Sequence, residues 1–312
     1  MIKDLFNFIV FPGMIFSVLV GGILSWVDRK ITARIQFRKG PPFLQPFYDL
    51  GKLFYKETIL PKYGSKFTFL AAPVFGLFCA SLANVFILLP SLIPNAGFRG
   101  DLIVIFYLLT APSISFIIGS LASGNPIGAV GASREIKLII AYELSFFLAL
   151  AAIIIKTDMG MTISDILANQ QTNGAYIYSI SGVLLFIVII FVTQAKLAFV
   201  PFDMAEAEAE LAHGIFIEYS GSPYAIIKMT RYLMLFAMPS LLITLLFGGF
   251  RFEGIRILWS IMKLLFVLLL ITLIRNTNPR LKINQAMRFF FIWMNLFALA
   301  AILLSIITFN EL

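Results

Sequence analysis

Polar residues occur in short clusters along this chain, separated by long apolar runs. Crossing the hydrocarbon core of a bilayer takes a helix of roughly 20 apolar residues, and eight runs are long enough: about 5–27, 67–93, 102–121, 133–155, 178–200, 224–247, 255–275 and 287–308. The first run is too long for the apolar part of a signal peptide. It ends in "SWVDRKITAR" without a small-residue cleavage site, so it counts as a span. The pattern predicts an all-α polytopic membrane protein with eight transmembrane helices and amphipathic cytoplasmic loop segments. With no repeat of fixed period, residues 1–312 are expected to form a single integral membrane domain.

Charge supports that count. Taking alternate connections together, 18 Lys and Arg residues fall on one side and 5 on the other, with Lys263 left inside the seventh span. The bias of basic residues toward the cytoplasm then places both termini outside and the loops 28–66 and 201–223 inside, in a plasma membrane.

Composition narrows the chemistry. The chain is 60% hydrophobic and 13% charged, with a mean hydropathy of +0.95, outside the range of soluble domains. The net charge of +8 is distributed between spans rather than along one face, which argues against a nucleic-acid partner. One cysteine, Cys79, and one histidine, His213, are too few for a cysteine-ligated cluster or a structural zinc site built by this chain alone. No cofactor is expected on the chain itself.

Against that apolar background, "PFDMAEAEAELAHGIFIEYSG" concentrates five carboxylates: Asp203, Glu206, Glu208, Glu210 and Glu218. If Pro201 opens a helix capped by Asp203, a rotation of about 100° per residue puts Asp203, Glu206 and Glu210 on one face. Carboxylates crowded in a poorly hydrated place share protons. A solvated amphipathic loop is the other reading. The fourth span, "GASREIKLIIAYELSFF", carries Glu135 and Glu143 eight residues apart, about 12 Å along a helix. Ionisable groups at such depth face a protein interior or a water path. Glu135 can also pair locally with Arg134 or Lys137. Lys263 either neutralises one of these acids or reaches the interface along a tilted helix, and Asp101 reads as a cap. The basic loop mixes Arg29, Arg34, Arg38 and Lys39 with aromatic residues and three prolines, a composition suited to docking a partner protein or acidic lipid.

Three motifs in order, "ARIQFRKGPP…LQPFYDLGKLFYKE", "SREIKLIIAYELSFF" and "PFDMAEAEAEL…EYSG", resemble the eight-helix membrane subunit of the complex I superfamily, the subunit 1/H family of NADH:quinone oxidoreductase. Its counterparts serve membrane-bound [NiFe] hydrogenases and a sulfane sulfur reductase. The resemblance implies that the two large loops, with Arg29, Arg34, Arg38 and Lys39, seat a peripheral arm of hydrogenase-like subunits carrying iron–sulfur clusters, with or without a nickel–iron centre. It further implies that Glu135, Glu143, Asp203, Glu206, Glu208, Glu210 and Glu218 relay charge toward antiporter-like membrane subunits that move H⁺ or Na⁺; Lys263 joins them as a candidate from its place inside the seventh span alone. The direct passage from "RKGPP" to "FLQP" is shorter than in quinone-using members and is closer to the hydrogenase and sulfane reductase branch. The expected function is anchoring and coupling in a ferredoxin-linked complex. A quinone-site role in a quinone oxidoreductase and a stand-alone ion or solute transporter are the alternatives.

Overall fold

The computed structural model describes residues 2–93 and 97–310, and their side chains except those of residues 2–4, 208, 209 and 308–310. It is helical, without strands among the described residues. In chain order the helices are α1 (Ile2–Ile9), α2 (Met14–Ile35), α3 (Gln45–Tyr55), α4 (Lys66–Leu92), α5 (Asp101–Ala122), α6 (Pro126–Lys156), α7 (Ile163–Asn173), α8 (Ile180–Lys196), α9 (Glu208–Leu211), α10 (Gly221–Leu246), α11 (Arg256–Thr277), α12 (Ile283–Arg288) and α13 (Asn295–Asn310). A π-helical turn, Phe289–Met294, joins the last two.

The described residues hold seven long apolar segments: Leu5–Ile35, Lys66–Leu92, Asp101–Ala122, Pro126–Lys156, Gly221–Leu246, Arg256–Thr277 and Ile283–Ile307. Together with the shorter apolar helix α8 they match the eight runs read from sequence. Helix α8 has 17 residues, about 25 Å of rise, which falls short of a full crossing. Its expected extension to residue 200 is replaced by a turn at Leu197–Val200, where Gln194 donates from Nε2 to the carbonyl of Val200 at 2.6 Å.

Two spans start or end elsewhere than the apolar pattern suggests. Helix α2 runs on to Ile35, so Asp28, Arg29 and Arg34 sit on a helix rather than in a loop. Helix α6 begins at Pro126, a proline at the first helical position, with the Asn125 side chain accepting from the amide of Ile127. Hydropathy follows where lipid begins, whereas the helix continues inside the protein for as long as its backbone bonds are met.

Helix α10 is the axis. In its most apolar window 89% of residues are buried, against 33% in those of Arg256–Thr277 and Ile283–Ile307, which form the perimeter. Close approach to α10 requires glycine: a Cβ on Gly21 of α2 would lie 2.0 Å from the carbonyl oxygen of Tyr232. Gly119 of α5 likewise leaves room for the Tyr219 hydroxyl, which donates to the carbonyl of Phe69 at 3.1 Å while the two rings stack at 4.1 Å. That contact, and a bond from the amide of Ile59 to Ser220 Oγ at 3.1 Å, bring the two large loops to one end of the bundle, the basic end.

Candidate functional site

At the basic end, α2, α5, α6, α8, α10 and α11 enclose a cavity of about 510 Å³. Four carboxylates line it, Asp28, Glu135, Asp203 and Glu206, together with six cations, Arg29, Lys196, Lys228, Arg231, Arg275 and Arg280. Nearly all these charges are paired across elements. Arg275 donates to Asp28 Oδ2 at 2.7 Å while Thr272 Oγ1 donates to Asp28 Oδ1 at 2.9 Å, tying α11 to α2. Arg280 bridges Asp203 at 2.8 Å, and Arg231 bridges Glu206. Arg29 donates to Asp49 at 3.1 Å, and Gln45 donates to the same carboxylate at 2.8 Å.

The acidic segment is not the helix expected from Pro201. Residues 201–207 form turns, the α-helix is confined to Glu208–Leu211 and a 3₁₀ turn follows at Gly214–Phe216, so no common face holds Asp203, Glu206 and Glu210. Each carboxylate instead pairs with an arginine from a different element. Glu210, at the surface, accepts from Arg134 of α6 at 2.6 Å. Glu218 accepts from the Asn125 amide at 2.5 Å, joining the end of the segment to the cap of α6. The side chain of Glu208 lies outside the described residues. The competition is between a local helix, worth little alone over so few residues, and several charge-assisted bonds to arginines already fixed on the bundle.

Electrostatics differ along the segment. Burial pushes the Asp203 carboxyl above its ordinary range even though Arg280 and Arg275 pull the other way, and its Oδ1 has no hydrogen-bond partner. The hydrogen bond and charge of Arg134 hold Glu210 below its ordinary range. Burial raises Asp49, but Arg29, Gln45 and Lys228 together bring it below the usual value. Burial thus shifts Asp203, at the cavity wall, toward its protonated form, while Asp49 and Glu210, which lie outside the cavity lining, are shifted toward the ionised form by their arginines.

From the cavity the charges lead into α6. Glu135 is 4% exposed and its Oε2 has no hydrogen-bond partner; among the described residues no cation bridges it. Two turns deeper, Glu143 Oε1 accepts from Thr110 Oγ1 at 2.7 Å and from Lys196 Nζ at 2.5 Å. Lys196 has no exposed side-chain surface and its ammonium lies over the rings of Phe146, Tyr142 and Phe106 at 5.1, 5.2 and 5.7 Å. Beside this pair Ser145 donates to Asn295 Oδ1 at 2.6 Å and to the carbonyl of Phe290 in the π turn.

Lys263 does not join these acids. It donates to the carbonyls of Phe247 and Gly249 at 2.6 and 3.4 Å, finishing α10 at the opposite end of the bundle. The neutralising position is held by Lys196, which lies near the end of the apolar run 178–200 and which the charge count groups with the connections. Asp101 does act as a cap, but of α7: both its oxygens accept from the amide of Ile163. Arg34, Arg38 and Lys39 project from the basic end, where Phe37 sits fully exposed in the left-handed region at φ 59°. Asp28, Lys196, Lys228, Arg231, Arg275 and Arg280 do not stand out in the sequence. For Lys196 the available signal is a charge flanked on both sides by apolar residues, in "VTQAKLAFV", whereas Asp28, Arg231 and Arg275 adjoin other polar residues.

Residues 8–306 match the NADH dehydrogenase family. The chain belongs to that family. Relatives include the H-type subunit of the NADH-quinone oxidoreductase of Thermomicrobium roseum, 32% identical over 301 residues that cover 88% of this chain and 87% of the relative. NADH-quinone oxidoreductase subunit 8 of Thermus thermophilus is 32% identical over 295 residues, covering 89% and 79%. Among solved structures, a chain of the membrane-bound sulfane sulfur reductase, an archaeal respiratory membrane complex, superposes with a TM-score of 0.85 at 28% identity, covering 94% of this chain and 96% of the other. This NADH dehydrogenase family member is therefore a multi-pass membrane subunit of the 1/H type in a respiratory complex, working among partner subunits.

Proposed function

We propose that the chain anchors the peripheral arm of a ferredoxin-linked respiratory complex, a membrane-bound hydrogenase or sulfane sulfur reductase, and turns the arm's electron transfer into charge movement. In this reading iron–sulfur clusters, and nickel–iron if present, reside on partner subunits. The Phe37 tip with Arg34, Arg38 and Lys39 seats the arm from the cytoplasmic side. Glu135, Asp203 and Glu206 receive the charge shift, Glu143 passes it toward antiporter-like subunits that move H⁺ or Na⁺, and Glu210 and Glu218 fasten the acidic segment to α6.

The observation that carries the proposal is the run of charges from an ion-paired cavity at the basic end to Glu143 inside α6. An uncompensated charge in a low-dielectric interior acts strongly on its neighbours over several ångströms, so a charge arriving at one site changes the next. The assignment to the hydrogenase and sulfur reductase branch is supported by the short "RKGPPFLQP" connection and by the similarity to the sulfane sulfur reductase chain. A quinone-site role is the second reading, favoured by the cavity itself and by the names of the quinone oxidoreductase relatives.

Isolation of the complex through a tag on this chain, with nickel and iron measured per complex, separates the readings. Iron with nickel supports a hydrogenase. Iron without nickel, with sulfide formed from polysulfide and reduced ferredoxin, supports a sulfur reductase. Quinone reduction blocked by a quinone-site inhibitor would replace both.

A further inference from the structure

The geometry points to Lys196 as the positioning residue that sets the charge of Glu143 and connects it to the cavity, a role that rests on the coupling reading above. Its place in the fold is the first reason. Lys196 ends α8 and lines the cavity, and its fully buried side chain bonds Glu143 at 2.5 Å and Thr110 at 3.1 Å. One residue therefore touches both the chamber that holds Asp203, Glu206 and Glu135 and the carboxylate inside α6.

The second reason is how the pair is completed. An ammonium has three donors. Two are used by Glu143 and Thr110, and the remaining face of the head group lies over the rings of Tyr142, Phe146 and Phe106. The Glu143 carboxylate is not completed in the same way, since its Oε2 is buried without a partner. The bound state is thus a neutral pair with an ionised Glu143, held by one bridging oxygen. A lysine stem is long and flexible, and its head group is a compact point charge, which suits it to exchange between acceptors.

Negative charge arriving in the cavity gives the ammonium a competing partner. When Lys196 turns toward it, Glu143 is left as an uncompensated carboxylate in an apolar interior, and the low-energy response is to take up one proton from cavity water to become a neutral carboxylic acid. Return of the ammonium expels that proton. Lys196 itself stays protonated throughout, so it moves charge without carrying the translocated proton.

The test uses the assembled complex with Lys196→Met, Lys196→Arg and Lys196→Met/Glu143→Gln. Infrared difference spectra of the resting complex are compared in the carboxylic C=O region. Lys196→Met is expected to gain a protonated-carboxyl band that the double variant lacks, whereas Lys196→Arg keeps the wild-type spectrum. A Lys196→Met spectrum identical to wild type overturns the assignment. In proteoliposomes, electron transfer by Lys196→Met is expected to lose its acceleration by uncoupler, and retention of wild-type acceleration without the infrared band would also overturn it. If the single variant fails to assemble, the double variant, which leaves no buried charge at the pair, is read instead: wild-type uncoupler response in it overturns the role. Wild-type uncoupler response in Lys196→Met and the double variant alike, with the infrared band still appearing, would leave the pair intact and refute only the coupling reading.

Discussion

Glu135 and Glu143 lie on the same helix, the first buried and the second 15% exposed, yet neutralising them should have different effects on stability. Glu143→Gln removes the charge opposing Lys196, whose side chain has no exposed surface. Removing one member of a buried pair costs about 3–5 kcal/mol, because the other charge stays behind uncompensated. The glutamine amide oxygen keeps a hydrogen bond to the ammonium and the three rings still face it, so the loss sits near the lower end, about 3 kcal/mol. For a chain of this length that corresponds to roughly 6 °C at about 2 °C per kcal/mol. Glu135→Gln removes a charge that no cation bridges and whose Oε2 is unpartnered, so the substitution is neutral or stabilising. Unfolding of the detergent-solubilised complex, followed by the fluorescence of a thiol probe reacting with buried Cys79, reports both variants on one scale. Equal midpoints for the two, or a lower midpoint for Glu135→Gln, would refute the pairing on which the site is built.

Other consequences are open to direct measurement. Gly21→Ala places a methyl group against the Tyr232 carbonyl, a backbone contact that cannot yield, and is expected to cost about 1–3 kcal/mol and lower the yield of assembled complex; wild-type yield and midpoint would show that α2 and α10 separate freely. Asp28→Asn weakens the bonds from Arg275 and Thr272, with a cost of about 1.5 kcal/mol because Arg275 is partly solvated, and amide exchange in residues 272–276 should speed up; unchanged exchange would place the α2–α11 contact elsewhere. The Asp49 carboxyl is held below its ordinary value, so its contribution is complete above about pH 4 and is lost as pH falls through the lower folded value. Limited proteolysis of the 36–44 connection should accelerate in that acid range, and in Asp49→Asn it should be fast already at neutral pH with no further acid step.

Much of the bundle could be read from the sequence because lipid imposes a simple rule on it. Each spanning segment must be apolar for its full length, so the eight runs are visible without neighbours. The same rule hides the site. Asp28 looks like a loop charge because the apolar run stops at residue 27 while α2 carries its side chain on into a polar interior, and Lys196 looks like a charge at the cytoplasmic edge of its span because nothing in the run shows what faces it. Glu143 was legible as a buried charge within an apolar stretch, but its partner was not. Lys263 is closer to a span centre, yet two carbonyls at the end of α10 satisfy it. The acidic segment misled in another way. Spacing of three and four residues is a helical signature only when no outside partner competes, and here Arg134, Arg231 and Arg280 each claim one carboxylate.

The central claim is that charge arriving in the cavity is passed into α6 and used to move ions. The most direct measurement reconstitutes the purified complex in liposomes and records electron transfer and ion uptake together, for wild type and for Glu135→Gln. Glutamine there leaves every ion pair of the site in place but can no longer change its charge. The account predicts that Glu135→Gln retains electron transfer and loses at least ten-fold of the ions moved per electron, a change of about 1.4 kcal/mol or more in coupling. An unchanged ratio of ions to electrons would contradict it.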